Sequence, residues 1–154
     1  MNAAPPFTLV DASAQTFDAA LPALVDLLQA CVAGGASIGW PQPPSTAAAA
    51  AFWRGCITAA TQGERRFWLA LADAADPASV LGSTQLAFAG MPNGRHRADV
   101  MKVMVHPRAR RQGLAEALMR HAEHVALAHG RWLLVLDTLA GSDAERLYAR
   151  LGYQ

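Results

Sequence analysis

Apolar residues recur three or four apart at Leu21, Leu24, Val25, Leu28 and Val32, which predicts a helix over residues 19–33. Pro22 suits such a helix only in its first turn, where no amide hydrogen is needed, and Gly34 supplies the stop. Residues 7–10 read as a short strand ahead of it. The stretch GGASIGWPQPP, 34–44, holds too much Gly and Pro for regular structure and is expected to be a loop. Thr46 is expected to cap a second helix that runs through the alanines to about Ala60, with Gly63 beyond it. FWLALA (67–72) and VLGSTQLAF (80–88) read as strands joined by DAADPAS. MPNGRHR (91–97) turns the chain again, Asn93-Gly94 being a hairpin dipeptide, into a third strand at 98–105. Leu114, Leu118, Ala122, Val125 and Ala126 share one face of a helix from Gln112 to His129, and Gly130 ends it. RWLLVLDT, 131–138, is the nearly continuous apolar run expected of a strand buried on both faces. Ser142-Asp143-Ala144-Glu145 is a capping box opening a last helix to about Leu151. The order β-α-α-β-β-β-α-β-α describes one α+β or α/β sheet domain.

A chain of 154 residues is expected to form one domain, spanning 1–154. Its 53% hydrophobic and 16% charged residues argue for a packed globule over disorder. No apolar run is read as approaching the ~18–20 residues of a membrane span. MNAAPPFTLVDAS lacks the basic and apolar segments of a secretory signal. Cys31 and Cys56 sit in apolar stretches with no cluster of positive charge or histidine around them, as expected of buried reduced thiols in a cytoplasmic protein. A net charge of +1 argues against wholesale binding to nucleic acid or an anionic membrane. The charge is nonetheless unevenly spread. Arg95, Arg97, Lys102, Arg108, Arg110 and Arg111 stand within one short stretch against a single carboxylate, Asp99. Positive charge so concentrated points to a local anion.

That stretch ends in HPRARRQGLAEAL, 106–118. A strand entering a glycine-containing turn that opens a helix exposes backbone N–H groups at the positive end of the helix dipole. Gly113 permits close approach, Ala115 keeps the first turn small, and Arg110 and Arg111 can add charge-assisted bonds to phosphate. The combination suits a pyrophosphate. Neither GxxxxGK[ST] nor GxGxxG is present, which argues against nucleoside triphosphatases and dinucleotide folds. Arg110-x-x-Gly113-x-Ala115 resembles the acetyl-CoA signature R/Q-x-x-G-x-G/A of the GNAT superfamily of N-acetyltransferases. The surroundings fit across about residues 80–153: STQLAF and ADVMKVMV before the turn, then the helix, LLVLDT and AERLYARLGY. GGASIGW, PNGRHRADVMKVMV and LDTLAGSDAERLY are similar, more narrowly, to the tabtoxin resistance acetyltransferase and its close relatives. That subgroup is described as acetylating the amino group of a small β-lactam amino acid.

The resemblance implies an α+β (α/β/α) GNAT fold, its mixed, mostly antiparallel sheet splayed between the strands at 98–105 and 131–138, with helices on both faces. It implies acetyl-CoA as co-substrate, no metal, and an amine that attacks the thioester directly. Backbone groups of Val103, Met104 and Val105 would hold the pantetheine arm, one N–H there (that of Met104) polarising the carbonyl. Arg110, Arg111, Gln112, Gly113, Leu114, Ala115 and Glu116 would cradle the pyrophosphate. Tyr148 takes the acid's position; a core tyrosine is the plain alternative. Asp99 and Asp137 are candidate bases or ammonium anchors. Asp99 lies six residues before Val105, about 20 Å along an extended strand and so toward the acetyl end. Ser37 and Trp40 of GGASIGW would line the acceptor pocket. His121, Glu123 and His124 offer too few ligands for a metal, and His106 needs no catalytic role.

The chain also departs from the pattern. The family's Asn seven residues before the acid Tyr is Gly141 here, and Ser142 is the candidate replacement. Family members continue past the Gly-Phe/Tyr pair into further strands, so the last strands are expected to be missing and 131–138 to be an open edge; either the chain is truncated, or another copy covers that edge, or the sheet is smaller. The rival readings are a CoA-binding regulatory module without transfer activity and a nucleic-acid binder using 95–111. The lack of aromatics among those cations counts against the second.

Overall fold

The computed structural model describes residues 6–154. Residues 1–5, which begin the segment read above for a secretory signal, lie outside it. Five strands form one sheet in the order β1 (Thr8–Asp11), β2 (Arg65–Leu71), β3 (Val80–Phe88), β4 (Arg97–Val105) and β5 (Leu133–Val135). Neighbours are antiparallel except β4 and β5, which run parallel. Helices α1 (Ala14–Ala33) and α2 (Thr46–Thr61) cover one face, α3 (Leu114–Ala128) the other, and α4 (Asp143–Arg150) packs beside α3. This is the GNAT fold.

Several boundaries differ from the expected ones. Helix α1 starts five residues earlier, because Ser13 accepts a bond from the Thr16 amide and caps it. Pro22 therefore lies inside the helix. It is tolerated because Pro22 and Asp18, whose carbonyl loses its partner, are both exposed, so water replaces the missing bond. By length and composition α1 could cross a membrane, contrary to expectation, but Leu24, Leu27, Leu28 and Cys31 are buried in the core. Ser45, not Thr46, caps α2 by accepting from Ala48 N. Asn93-Gly94 does not form a two-residue hairpin turn: Pro92 begins a 3-10 turn instead, closed by Gly94 N donating to Met91 O at 2.9 Å.

The apolar run at 131–138 gives a strand of only three residues, and it is not buried on both faces. Leu133 is 39% exposed and Trp132 70% exposed, stacked on His96, because β5 is the sheet's last strand. Its pairing with β4 covers only Arg97–Leu133, Ala98–Leu134 and Asp99–Val135. Beyond Asp99 the two strands part.

β4 changes face as it leaves β5. Between Met101, opposite Gln85, and Met104, opposite Ser83, it carries one residue more than β3. Lys102 takes the extra turn with φ 53°. Ala98 and Val100 pack toward α3 before this bulge, while Val103 and Val105 do so after it, leaving Met104 in the α1–α2 core.

Candidate active site

The turn from β4 into α3 is held from several sides. Arg108 N donates to His106 Nδ1 at 3.2 Å, which leaves the proton on Nε2 to meet Asp26 Oδ2 at 2.9 Å. His106 thus fastens the end of β4 to α1. Arg111 (φ 61°) and Gly113 (φ 76°) are both left-handed and swing the chain into the helix. The amides of Leu114, Ala115 and Glu116 begin α3 and lack intrahelical acceptors. Gly82 on β3 sets the depth of this helix. A Cβ there would lie 2.6 Å from Met104 O and 2.7 Å from Leu114 Cδ2, so only glycine lets the first turn of α3 rest against the sheet. The sequence reading passed over Gly82, although a glycine inside a β-prone run is a sign of close backbone approach.

A cleft of about 1140 Å³ opens where β4 and β5 part. Its walls are the free edge of β4, the α1–α2 connection, the start of α3 and the inner face of α4. Of the residues singled out from sequence, Ser37, Val103, Met104, Val105, Arg110, Arg111, Gly113, Leu114, Ala115, Glu116, Asp137, Ser142 and Tyr148 border it. Three do not. Gln112 is exposed outside the lining. Trp40 turns away to meet Phe52 edge to face at 5.0 Å and packs on the α1–α2 core. Asp99 stands just past the lining residue Val100, with its Oδ1 accepting from Arg97 Nε at 3.0 Å.

Of the six clustered cations only Lys102, Arg110 and Arg111 border the cleft. Arg108 donates to Val80 O and Arg97 to Asp99, so the charge is divided between fold and site. Arg146 and Arg150 on α4, one turn apart, face the cleft as well. Among the described residues Arg110, Arg111 and Arg150 make no ion pair, whereas Arg146 pairs with Asp143. The sequence reading gave Lys102 no role beyond the cation cluster and passed over Arg146 and Arg150. Their signals were a lone charge in an apolar strand and an i, i+4 pair of arginines beside Tyr148.

Tyr148 comes from α4, which opens with Ser142 accepting from Glu145 N while the Glu145 carboxylate accepts from Gly141 N. Its ring is buried among Met119, Ala122 and Val125 of α3 and neighbouring core residues. Burial pushes the phenol above its usual value of 10, so it keeps its proton through neutral pH. The hydroxyl makes no hydrogen bond among the described residues. Opposite, Cys31 borders the cleft with Sγ donating to Val105 O at 3.4 Å. Burial raises that thiol more than Arg110 lowers it, which leaves it neutral and unreactive. Glu123 is engaged by Arg120 and by the Tyr153 hydroxyl.

The site therefore joins an anion-receptive helix start, an unpaired strand edge and a protonated phenol along one elongated cleft. Solved structures of similar architecture include an acetyltransferase from Trypanosoma brucei (TM-score 0.66, 18% identity, 96% of this chain and 92% of that one). Glucosamine-6-phosphate N-acetyltransferase from Arabidopsis thaliana aligns with TM-score 0.68 at 12% identity over 96% and 91% of the two chains. A predicted acetyltransferase from Clostridium acetobutylicum, solved with acetyl-CoA, aligns with TM-score 0.66 at 12% identity over 96% and 90%. At such identities the likeness is one of fold. The family described as Acetyltransferase (GNAT) domain matches residues 63–154, which take in β2 through α4 and most of the cleft. The chain belongs to the GNAT family and is an N-acetyltransferase.

Proposed function

We propose that the cleft takes acetyl-CoA and passes its acetyl group to the amine of a small molecule, an amino-acid-like toxin or antibiotic of the kind acetylated by the tabtoxin resistance enzyme. The observation that carries this reading is the cleft itself. Its volume is slightly above the usual range of small-molecule sites, its walls carry Lys102, Arg110, Arg111, Arg146 and Arg150 against Glu116, Asp137 and Asp143, and Tyr148 borders it.

The residues present suit the donor. Arg110, Arg111 and the first amides of α3 would take the pyrophosphate, with Gln112 at the rim. The unpaired edge of β4 at Val103–Val105 would hydrogen-bond the pantetheine arm as a strand would, and Ser142 would add a hydroxyl. The Met104 N–H would polarise the thioester carbonyl.

The amine lone pair forms the new N–C bond at that carbonyl, and the C–S bond breaks. Tyr148 donates its proton to the thiolate as the C–S bond breaks, and the phenolate so formed, the stronger base of the two, regains a proton from water. The proton lost by the amine goes to Asp99 or Asp137, or through either to water. A carboxylate is a weaker base than an aliphatic amine, so these residues anchor the ammonium as much as they deprotonate it. Ser37 borders the acceptor's entry, and Trp40 backs the same loop. Thiol release from acetyl-CoA across amino acids, polyamines and aminoglycosides tests the reading. Release with one N-acetyl product per thiol supports it. Acetyl-CoA binding with no release for any amine would leave a CoA-binding regulatory module instead.

A further inference from the structure

Two cations near the acetyl end make no ion pair among the described residues. Arg65 begins β2; its register partner on β3 is Ala87, and the partner of Ala87 on β4 is Asp99. Direct cross-strand partners project from the same face, so Arg65 and Asp99 share the face turned toward α1 and α2. The Arg65 side chain reaches across to β3, where its Nη1 donates to Gln85 Oε1 at 3.1 Å; Gln85 is the register partner of the lining residue Met101, so Arg65 and Gln85 lie behind the cleft wall and do not line it. Gln85 is fully buried and neutral, so it orients the guanidinium without cancelling its charge, and its own Nε2 has no partner among the described residues.

Lys102 arrives from the bulge on the other side. Its Nζ donates to Ile38 O at 3.4 Å and lies 5.5 Å from the Phe52 ring centre. Both side chains are partly buried, and neither makes an ion pair among the described residues. The buried Cys56 thiol of α2 lies within reach of both fields. Burial pushes it up, while Gln85, Arg65 and Lys102 draw it down in that order. Partly buried cations of one sign, held by neutral groups, call for an anion.

We infer that Arg65, held by Gln85, and Lys102 together bind an oxyanion of the acceptor while Asp99 on the same face takes its amine, so that the substrate is a small zwitterion. This rests on the acetyl-transfer reading for the position of the acceptor. The oxyanion is a carboxylate or a phosphate, and Arg65 is the residue that sets specificity for it.

The test compares matched amines: 4-aminobutyrate with butylamine, lysine with cadaverine, and phosphoethanolamine with ethanolamine. Binding to the CoA-saturated protein is read by calorimetry, and kcat/KM by thiol release. In at least one pair the anionic member should be preferred 10-fold or more, and the responding pair tells carboxylate from phosphate. Arg65→Gln should raise KM and bring that preference to within two-fold, with acetyl-CoA affinity and Tm unchanged; Arg65→Lys should restore part of it. Should Arg65→Gln fail to fold, Lys102→Gln should weaken the same preference. Equal treatment within every pair, no binding by any member, or a preference that survives Arg65→Gln would overturn the inference. Preferential binding without thiol release would instead count against acetyl transfer and leave the anion site standing.

Discussion

The two ends of the cleft are built differently. The end near α3 is made by consecutive residues, 105–116, and much of it is backbone: left-handed Arg111 and Gly113, then the free amides of the first helical turn. The end near β5 is made by side chains from separate segments, Ser37, Lys102, Asp137 and Tyr148, with Asp99 just past the lining; Ser37 and Asp137 are exposed. A backbone cradle accepts the same group whatever surrounds it, while scattered side chains can be exchanged one at a time. The first end is suited to an unvarying donor and the second to a particular acceptor. Variants at the two ends should therefore separate donor affinity from turnover.

The largest effect is expected at Tyr148. Tyr148→Phe keeps the buried ring and removes the hydroxyl proposed as the acid, so kcat should fall about 100-fold or more while acetyl-CoA affinity stays unchanged. Because burial raises the phenol, no loss of wild-type rate from its ionisation is expected below pH ~10, as a pH–rate profile would register. Next come Asp99→Asn and Asp137→Asn, each expected to lower kcat/KM by about 10-fold or more with donor affinity retained. Unchanged turnover in both would remove these residues from the acceptor end. At the other end, Arg110→Ala with Arg111→Ala should weaken acetyl-CoA binding by about 10-fold or more, the loss of one or two charge-assisted bonds.

Gly82→Ala tests what seats the donor end. Its Cβ meets a backbone oxygen and Leu114, so about 1–3 kcal/mol of stability should go, seen as a lower Tm and weaker donor binding. The smallest effect is expected from Ser142→Ala, which removes the cap of α4 at a cost of about 1 kcal/mol in chemical denaturation.

The same contrast explains what the sequence revealed. Gly113, Ala115 and the helix after them are contiguous, and their spacing exposed both the anion-receptive turn and the family. The β-α-α-β-β-β-α-β-α order was equally legible, because α3 carries clean periodicity and the strands are β-prone runs bounded by turn residues. Legibility failed where a feature depends on what lies across space. Pro22 sits mid-helix only because its face of α1 meets water. The apolar run at 131–138 showed a preference for burial, but not that β5 would be the sheet's last strand and half exposed. Lys102 read only as one of six clustered cations until the bulge put it at the cleft, and Trp40 read as a pocket wall until Phe52 drew it away. Arg146 and Arg150 needed the packing of α4 before their shared direction had meaning.

The division between the two ends is tested most directly by calorimetric titration of acetyl-CoA into four proteins: wild type, Arg110→Ala with Arg111→Ala, Tyr148→Phe and Asp137→Asn. One site per chain is predicted, weakened about 10-fold or more in the arginine variant and equal to wild type in the other two. Full affinity in the arginine variant, or a comparable loss in Tyr148→Phe or Asp137→Asn, would contradict it.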